Sequence, residues 1–561
     1  MPRAQDRQPT WRPASKRRSL YCRSVASGDP SSTGAEAGDA SIGHRTRARH
    51  RARHRGRHPL WRVWFGSFVI FAAFGVLWSL AAPLTTGPDE TQQMIRAAAV
   101  VRGEWLGQQV GPPHTKADRW VVVPGTYRDL DPYTICIGRH LLRPPACPPL
   151  VDSSKLVRAR TYVGRYPPLY YLLVGGPTLV TQDTTSVYAM RWMSVLFGSI
   201  FLSLAVALAL LFAEASLVVL GVLIAATPLV LNLVSVVEPS GLEISAAICL
   251  WTCLALMAIQ PEGPPPKALL NGAGLSGVVF ALTRTSSPEW VIGIVIVAIG
   301  VLMPFARIRR LWGVRAVRRW LAAVMTAAVA GLAWIFGFKA YLFVPKFRNM
   351  PVNAGIWAIL REVFVRDGLY LTNFAESFYP NDGQVGHPVE IVVPILLCLV
   401  VIAGLVFGNG RQRLVIVLLA VAALLLPFVV TVLTWRSDGL IWQGRYSMPF
   451  VVGLPIVAGT AIRGPRFQAA VKGRAVSAAV TGVVVLSLLT QFVALYGALR
   501  RFSVGPTGPL DLVFLSRTRW TPPLPAPVIA VAAIVVTLGG ILWFRLLVRA
   551  SWASPASPPP D

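Results

Sequence analysis

Long apolar runs recur along most of this chain, and they constrain its fold more than any other feature. A helix needs about 17 to 25 apolar residues to cross the hydrocarbon core of a bilayer. We place such runs at residues 61–82, 190–212, 216–236, 241–259, 268–284, 289–305, 320–344, 389–407, 414–434, 446–462, 476–498 and 525–548. The pattern predicts an all-α polytopic membrane protein with about twelve transmembrane helices and a large first external loop.

The composition agrees with a membrane protein and excludes soluble, disordered and collagen-like chains. Hydrophobic residues make up 54% of the chain and charged residues only 14%, whereas soluble domains contain about 25% charged residues. The 54 Lys and Arg against 25 Asp and Glu give a net charge of +29. This basic excess alone would suggest nucleic acid, but in a membrane protein basic residues also set the orientation.

The most basic segment is residues 1–58, in which arginines alternate with small residues or His from Arg45 to Arg57. It has no apolar periodicity, and like charges at this density cannot bury a core, which predicts a disordered tail. Such a tail binds nucleic acid or anionic lipid, or it holds the start of the first span in the cytoplasm. The positive-inside rule favours the last interpretation, and we expect no nucleic-acid partner.

Basic residues in the short loops orient the remaining spans. The loops at 306–319 and 463–475 are rich in Arg and Lys, so we assign them to the cytoplasm, and the tail at 549–561 falls on the same side. This predicts a multi-pass protein of the plasma membrane with a spanning domain at 59–548, a disordered C-terminal tail at 549–561 and both termini cytoplasmic. The long external loops are then 83–189 and 345–388, and loops of this length are commonly functional.

Two of the six cysteines, Cys136 and Cys147, lie in the first external loop. In an oxidising exterior they favour a disulfide that stabilises the loop by about 2 to 4 kcal/mol. Two free thiols are the alternative. Cys249 and Cys253 share one face of a predicted span but have no His or carboxylate partners, so we assign no metal site to them. Whether the chain needs a divalent metal stays open.

An acidic motif, Gly87-Pro88-Asp89-Glu90, follows the first span directly. Pro88 suits the first turn of a helix, and carboxylates there are favoured by the helix dipole. The acidic pair is therefore a general base, a metal ligand or only a helix start. Because adjacent helix positions face different ways, one carboxylate, and not a dyad, would point into a site.

Two more motifs lie at the predicted outer edge of the membrane. The segment Arg165–Tyr171 closes the first external loop, and Gln443-Gly444-Arg445-Tyr446 precedes a late span. The fixed donors of Arg445 suit phosphate oxygens, although this arginine also has the length to reach the headgroups from a buried position. Glu238 and Arg284 add charges that are costly at a membrane edge unless they are paired or functional.

These motifs, in this order, resemble the bacterial membrane proteins grouped as domain of unknown function 2142. Members carry a Pro-Asp-Glu motif after the first span, a Tyr-x-Pro-Leu-x-Tyr-type segment and a Gln-Gly-Arg-Tyr motif before a late span. Here they correspond to Pro88–Glu90, Tyr166–Tyr171 and Gln443–Tyr446. Gln93 stands where the family often has His, which puts any imidazole role in doubt, and Arg284 replaces a typical Lys.

The layout of this family is similar to that of the C-type membrane glycosyltransferases. The resemblance implies an acidic base in the first external loop and a polyprenyl-phosphate sugar as donor, with no other cofactor. It implies catalytic roles for Asp89 and Glu90, with Glu90 as a supporting or capping group. The implied substrate-binding residues are Arg165, Tyr166, Tyr170, Glu238, Arg284, Gln443, Arg445 and Tyr446.

The resulting hypothesis is a glycosyltransferase that moves a sugar from a polyprenyl-phosphate donor to a cell-envelope acceptor on the outer face of the plasma membrane. Its expected partners are membrane lipids and the polyprenyl-phosphate-linked sugar. The alternative is a non-catalytic transporter, flippase or structural subunit for envelope lipids or polysaccharide. Charges deep in the membrane would favour a transporter, and few of the predicted spans contain any.

Overall fold

The structure is a computed structural model, and it describes residues 59–112, 116–139, 147, 150–211, 216–260, 263–341, 351, 353–375, 387–439, 442–462, 474–505 and 520–552. All of them belong to one unit, Arg57–Asp561. The predicted N-terminal tail, residues 1–58, lies outside the described residues. Residues 553–561 of the predicted C-terminal tail lie outside them as well.

The chain is mostly helical. The first ten α-helices are α1 (Leu60–Ala81), α2 (Glu90–Val100), α3 (Gly125–Arg128), α4 (Leu130–Arg139), α5 (Leu169–Gly175), α6 (Thr184–Ala209), α7 (Ser216–Ala225), α8 (Pro228–Ser235), α9 (Pro239–Ile259) and α10 (Lys267–Ala281). The others are α11 (Ser287–Ile296), α12 (Phe305–Trp312), α13 (Arg315–Gly337), α14 (Ile356–Ala375), α15 (His387–Phe407), α16 (Gly410–Asp438), α17 (Met448–Val451), α18 (Gly453–Ala461), α19 (Arg474–Val504) and α20 (Ala526–Trp552).

Eight helices in the described part of the chain are long and apolar enough to cross a membrane, or ten spans if each of two bent pairs counts as one. One bent pair is Leu217–Ala225 with Pro228–Ser235, and the other is Ser287–Leu302 with Phe305–Trp312. The predicted runs at 268–284 and 446–462 coincide with shorter apolar helices. Eight to ten candidate spans therefore stand where the sequence predicts about twelve.

Helix α9 is the centre of the bundle, because 89% of its most apolar stretch is buried inside the protein. It packs against α6, α10 and α18, while α1 packs against α6 and α20. At 21 residues, α9 has a length of about 32 Å, which matches the hydrocarbon thickness of a bilayer. The two ends of α9 are therefore separated by about the thickness of the hydrocarbon core of a bilayer.

The segment between α1 and α6 contains a small antiparallel sheet, which an all-α prediction misses. Strand β2 (Arg119–Pro124) lies between β1 (Gln108–Gln109) and β3 (Leu156–Thr161), and Trp120 pairs with both Gln108 and Arg160. Helix α2 packs against β2, β3 and α5. This packing places the residue after β3 beside the start of α2.

The same segment contains the predicted disulfide. Cys136 in α4 and Cys147 are bonded, and their Cα atoms lie 5.9 Å apart. This prediction is confirmed. The bond joins Cys147 to α4, which contacts both α2 and α3.

Candidate active site

The candidate site begins where the chain leaves α1 and enters α2. A Cβ atom on Gly87 would lie only 2.8 Å from Cβ of Val236, so the close approach of these segments requires glycine. Asp89 then adopts a left-handed backbone conformation, with φ 56° and ψ 15°. This region is strained for most residues, although Asp tolerates it better than most. The Asp89 side chain makes no capping bond to α2, so its carboxylate is left to contact other elements.

The carboxylate of Asp89 meets two groups from distant parts of the chain. The hydroxyl of Tyr162, the residue after β3, donates to Oδ1, and Nη2 of Arg445 lies 3.5 Å from Oδ2. Burial, and next the negative charge of Asp89, raise the pKa of Tyr162 well above its ordinary value, so Tyr162 remains a donor. The Asp89 side chain is 22% exposed, which leaves it accessible to a ligand.

Two arginines share the ring of Tyr446. The guanidinium carbon of Arg284 lies 4.5 Å from the ring centroid, and that of Arg445 lies 5.3 Å from it. Nε of Arg445 and Nε1 of Trp442, whose ring packs on Tyr446, are buried and have no hydrogen-bond partner among the described residues. Because buried donors without partners are rare and costly, their arrangement favours an anionic ligand at this place.

Arg284 is held from behind by a buried carboxylate. Its Nη1 lies 3.3 Å from Oε2 of Glu243, and the hydroxyl of Ser287 donates to the other oxygen, Oε1, at 2.7 Å. Glu243 lies in the first turns of α9 and is fully buried. The pair fixes the guanidinium beside Tyr446 and leaves Arg445 as the less neutralised of the two arginines.

Glu90 has very different surroundings from its neighbour Asp89. Arg191 of α6 donates from Nε to Oε1 and from Nη2 to Oε2, both at 2.7 Å, and both side chains are fully buried. The backbone N–H groups of Gly87 and Val237 donate to the remaining lone pairs. Four donors therefore saturate the Glu90 carboxylate, which leaves it no free lone pair for a substrate.

Glu238 forms a second buried network behind Asp89. Ser240 donates its hydroxyl to Oε1 at 2.7 Å, and the Gln93 amide donates to Oε2 at 3.2 Å. The hydroxyl of Tyr171 donates to Oε1 of Gln93 at 2.5 Å. Gln93 thus occupies the place of the expected His with both ends of its amide bound.

The other predicted residues divide into two groups. Tyr166 lies beside the site: burial raises its pKa, and the positive charge of Arg284 opposes this shift. The backbone carbonyl of Gln443 accepts a hydrogen bond from the N–H of Tyr446. Gln443 therefore shapes the turn that carries Arg445 and Tyr446. The structure brings Tyr170 and Arg165 to other partners, since Tyr170 bonds Ser194 of α6 and Arg165 bonds the carbonyl of Lys339.

Sequence reasoning missed Tyr162, Arg191 and Glu243. The last two are charged residues inside predicted apolar runs, and such residues are functional or paired by default. That signal was present in the sequence. Tyr162 gave none, because its role depends on how β3 packs against α2. Among the described residues, no group of three His, Cys, Asp or Glu side chains could hold a metal ion.

The comparison with known families decides the relationship of this chain. The family model described as "Predicted membrane protein (DUF2142)" matches residues 71–454. The chain belongs to this family. In this DUF2142 member, Asp89 of the Pro-Asp-Glu motif and Arg445 of the Gln-Gly-Arg-Tyr motif are 356 positions apart in sequence. Their side chains nevertheless meet.

Two solved structures are similar to this family member over 87% of its chain and 77% of theirs. One is ArnT from Cupriavidus metallidurans bound to undecaprenyl phosphate, with 16% identity and a TM-score of 0.36. The other is the same protein in the apo state, with 14% identity and a TM-score of 0.35. Scores this low carry no argument about this chain. No curated protein matches it in sequence.

Proposed function

We propose that this protein is a glycosyltransferase that moves a sugar from a polyprenyl-phosphate donor to a hydroxyl group of a cell-envelope acceptor. The observation that carries the proposal is the contact of an accessible carboxylate, Asp89, with an arginine, Arg445, whose buried Nε has no hydrogen-bond partner among the described residues. A base and an anion site in contact are what transfer from a phosphate-linked sugar requires.

Asp89 is the general base of the proposed reaction. The acceptor oxygen attacks the anomeric carbon of the sugar and forms the new glycosidic bond, while its proton passes to the Asp89 carboxylate. The bond between the anomeric carbon and the phosphate oxygen breaks at the same time. The hydrogen bond from Tyr162 fixes the orientation of the carboxylate for this transfer.

Arg445 and Arg284 bind the phosphate of the donor. A phosphodiester carries one negative charge, and the departing polyprenyl phosphate gains another as the bond breaks. Guanidinium groups held in place before the reaction stabilise this added charge without reorganisation. Glu243 partly neutralises Arg284, so we assign most of this stabilisation to Arg445.

The proposal includes a membrane topology. The site lies at the N-terminal end of α9, and we place this end at the outer face of the plasma membrane, with both chain termini in the cytoplasm. The short apolar helices Lys267–Ala281 and Met448–Ala461 complete twelve crossings in this topology. A polyprenyl chain then reaches the arginines from the outer leaflet, and no nucleotide is needed at the site.

Asp89→Asn is the variant that tests the proposal. We expect membranes containing this variant to lose at least about a hundredfold in transfer from a labelled polyprenyl-phosphate sugar, because general bases contribute about 10² to 10⁴ in rate. The donor lipid tried first is the undecaprenyl form, and several sugars are compared. Asp129→Asn is the matched control, since Asp129 lies in the same segment and pairs with Arg128.

Transfer by the Asp89→Asn variant at the rate of the unmodified protein would refute the proposed base. Absence of transfer by the unmodified protein with every donor would refute the enzyme itself. Movement of the labelled lipid between leaflets without transfer would establish the alternative, a lipid flippase.

A further inference from the structure

A short basic helix, α12, lies at the opposite end of α9 from the candidate site. The apolar helix Ser287–Leu302 ends there, and the chain turns by 119° into α12. The sequence predicts a loop at 306–319, but the structure has a helix of eight residues, α12, followed directly by α13. A helix bent this sharply from a span lies near the plane of the membrane.

The side chain of Arg307, in α12 itself, fixes this helix in position. Arg307 turns inward and donates to the carbonyls of Met257 and Gly263 and to the side-chain oxygen of Gln260 at 3.0 to 3.2 Å. It thereby caps the C-terminal end of α9, where carbonyl groups lack helical partners. The orientation of α12 is therefore set by the bundle.

The turn before α12 is held in a similar way. A π-helical segment, Val297–Leu302, ends the apolar helix and leaves carbonyls free for other donors. Nη1 of Arg411 donates to the carbonyls of Val301 and Met303 at 3.2 and 3.1 Å. Arg411 lies in the first turn of α16. The N-terminal end of this helix is therefore attached to the turn before α12.

The outward side of this region combines large apolar side chains with arginines. Phe305 is 75% exposed and Trp312 is 56% exposed, whereas Arg307 is only 3% exposed. The exposed arginines of α12 and the start of α13 are Arg309, Arg310, Arg315, Arg318 and Arg319. Residues 290–361 contain no Asp or Glu, so this stretch has no carboxylate of its own to neutralise them.

We propose that this surface, formed by Phe305–Trp312 and the first turn of α13, binds the headgroups of anionic phospholipids. Phe305 and Trp312 enter the boundary between headgroups and acyl chains, and the arginines contact the lipid phosphates. The positive charge of this surface, its exposed apolar side chains and its fixed position at the C-terminal end of α9 all suit such headgroups. It is independent of the proposed transfer reaction.

Lipid preference in nanodiscs tests this proposal with the full-length protein. The purified chain is placed in nanodiscs of phosphatidylcholine with a small fraction of spin-labelled phosphatidylglycerol or spin-labelled phosphatidylcholine, and the protein-bound fraction of each label is measured. The unmodified protein is expected to prefer phosphatidylglycerol. Each arginine near the surface contributes about fivefold, so we expect R309Q/R315Q/R319Q to lose this preference by at least about tenfold.

The matched control is R128Q/R158Q/R361Q, which removes the same charge from exposed positions outside the surface. It is expected to keep the preference. Replacing Phe305 and Trp312 by Ser is expected to lower binding of both labelled lipids equally. An equal loss in the two triple variants, or no loss in either, would overturn the proposal.

A salt titration of the unmodified protein gives a test that does not depend on whether a variant folds. Salt at about 1 M reduces the screening length to about 3 Å, so the preference for phosphatidylglycerol is expected to fall steeply between about 0.05 and 0.5 M salt. A preference that does not change with salt would contradict binding by exposed arginines.

Discussion

At the scale of single residues, the two carboxylates of the Pro-Asp-Glu motif have opposite surroundings. Glu90 accepts from four donors and is fully buried with Arg191. Asp89 is partly exposed, and its partners include the Tyr162 hydroxyl and, at 3.5 Å, the Arg445 guanidinium. The left-handed backbone at Asp89 separates the directions of the two side chains. The motif thus joins a buried structural anchor to a partly exposed carboxylate.

The buried pair of Glu90 and Arg191 gives the first prediction at this scale. Glu90→Gln or Arg191→Met leaves one charge buried without its partner, which costs about 3 to 5 kcal/mol. Arg191 also donates to the carbonyls of Ser79, Ala82 and Pro83 at the end of α1, so its loss also releases that helix end. We expect a marked decrease in the midpoint of thermal unfolding in detergent.

Asp89→Asn is the control for that measurement, and we expect it to unfold close to the temperature of the unmodified protein. The double variant E90Q/R191M should recover part of the lost stability, because neither charge then remains unpaired. Single variants as stable as the unmodified protein would show that this pair does not hold the segment after α1 in place.

The sequence identified part of the site through its motifs. Asp89 and Arg445 were found in their motifs, and Arg284 was found because charges at a membrane edge are expensive. The structure brings all three to one place. Arg191 and Glu243 lie inside apolar runs, where one charge among many apolar residues barely changes the pattern. Their charge was a signal in the sequence, but the partners they meet became clear only in the structure.

At the scale of elements, the position of α2 depends on how closely α5 approaches it. A Cβ on Gly175 would lie 2.5 Å from the carbonyl oxygen of Ala97 and 2.7 Å from Cγ1 of Val101, whereas one on Gly176 would meet no atom within 4 Å. Because α2 starts at the candidate site, this contact couples the packing of the segment to the position of Asp89.

Neighbouring glycines therefore provide a matched pair of variants. We expect Gly175→Ala to destabilise the protein by about 1 to 3 kcal/mol through overpacking and to lower transfer activity by displacing α2. Gly176→Ala should be neutral. Thermal unfolding in detergent measures the difference, and equal behaviour of the two variants would show that α5 does not contact α2 in this way.

The elements themselves were predictable to different degrees. Every predicted apolar run coincides with helix, because a bilayer allows few alternatives to a helix. The break between α7 and α8 follows from Thr227-Pro228, a cap followed by a proline at the first helical position. The sheet was missed because β2 and β3 are far apart in sequence and short, and only their pairing makes them strands.

At the scale of the whole molecule, α9 separates two charged regions by about the thickness of a bilayer. Glu243 and Arg284 lie at one end of this helix, and Arg307 caps the other end. The basic excess of the chain therefore has two roles in this account. We propose that arginines at the α12 surface contact lipid headgroups, whereas Arg284 and Arg445 hold a substrate.

This separation predicts that Gln108 and Arg309 lie on opposite sides of the membrane. In a chain with Cys22 and Cys398 replaced by Ser, we expect Gln108→Cys to react with a membrane-impermeant thiol reagent in intact cells. Arg309→Cys should react only after permeabilisation. Labelling of both positions in intact cells would contradict the proposed topology.

In the proposed function, Arg445 and Arg284 hold the phosphate of a polyprenyl lipid beside Asp89. A cryo-EM map of the protein in nanodiscs with undecaprenyl phosphate would show this contact directly. We expect phosphate density within about 3 Å of Arg445 Nε, at hydrogen-bond distance, and next to the ring of Tyr446. Phosphate density only at other places, such as the α12 surface, with Arg445 still lacking a ligand, would contradict it.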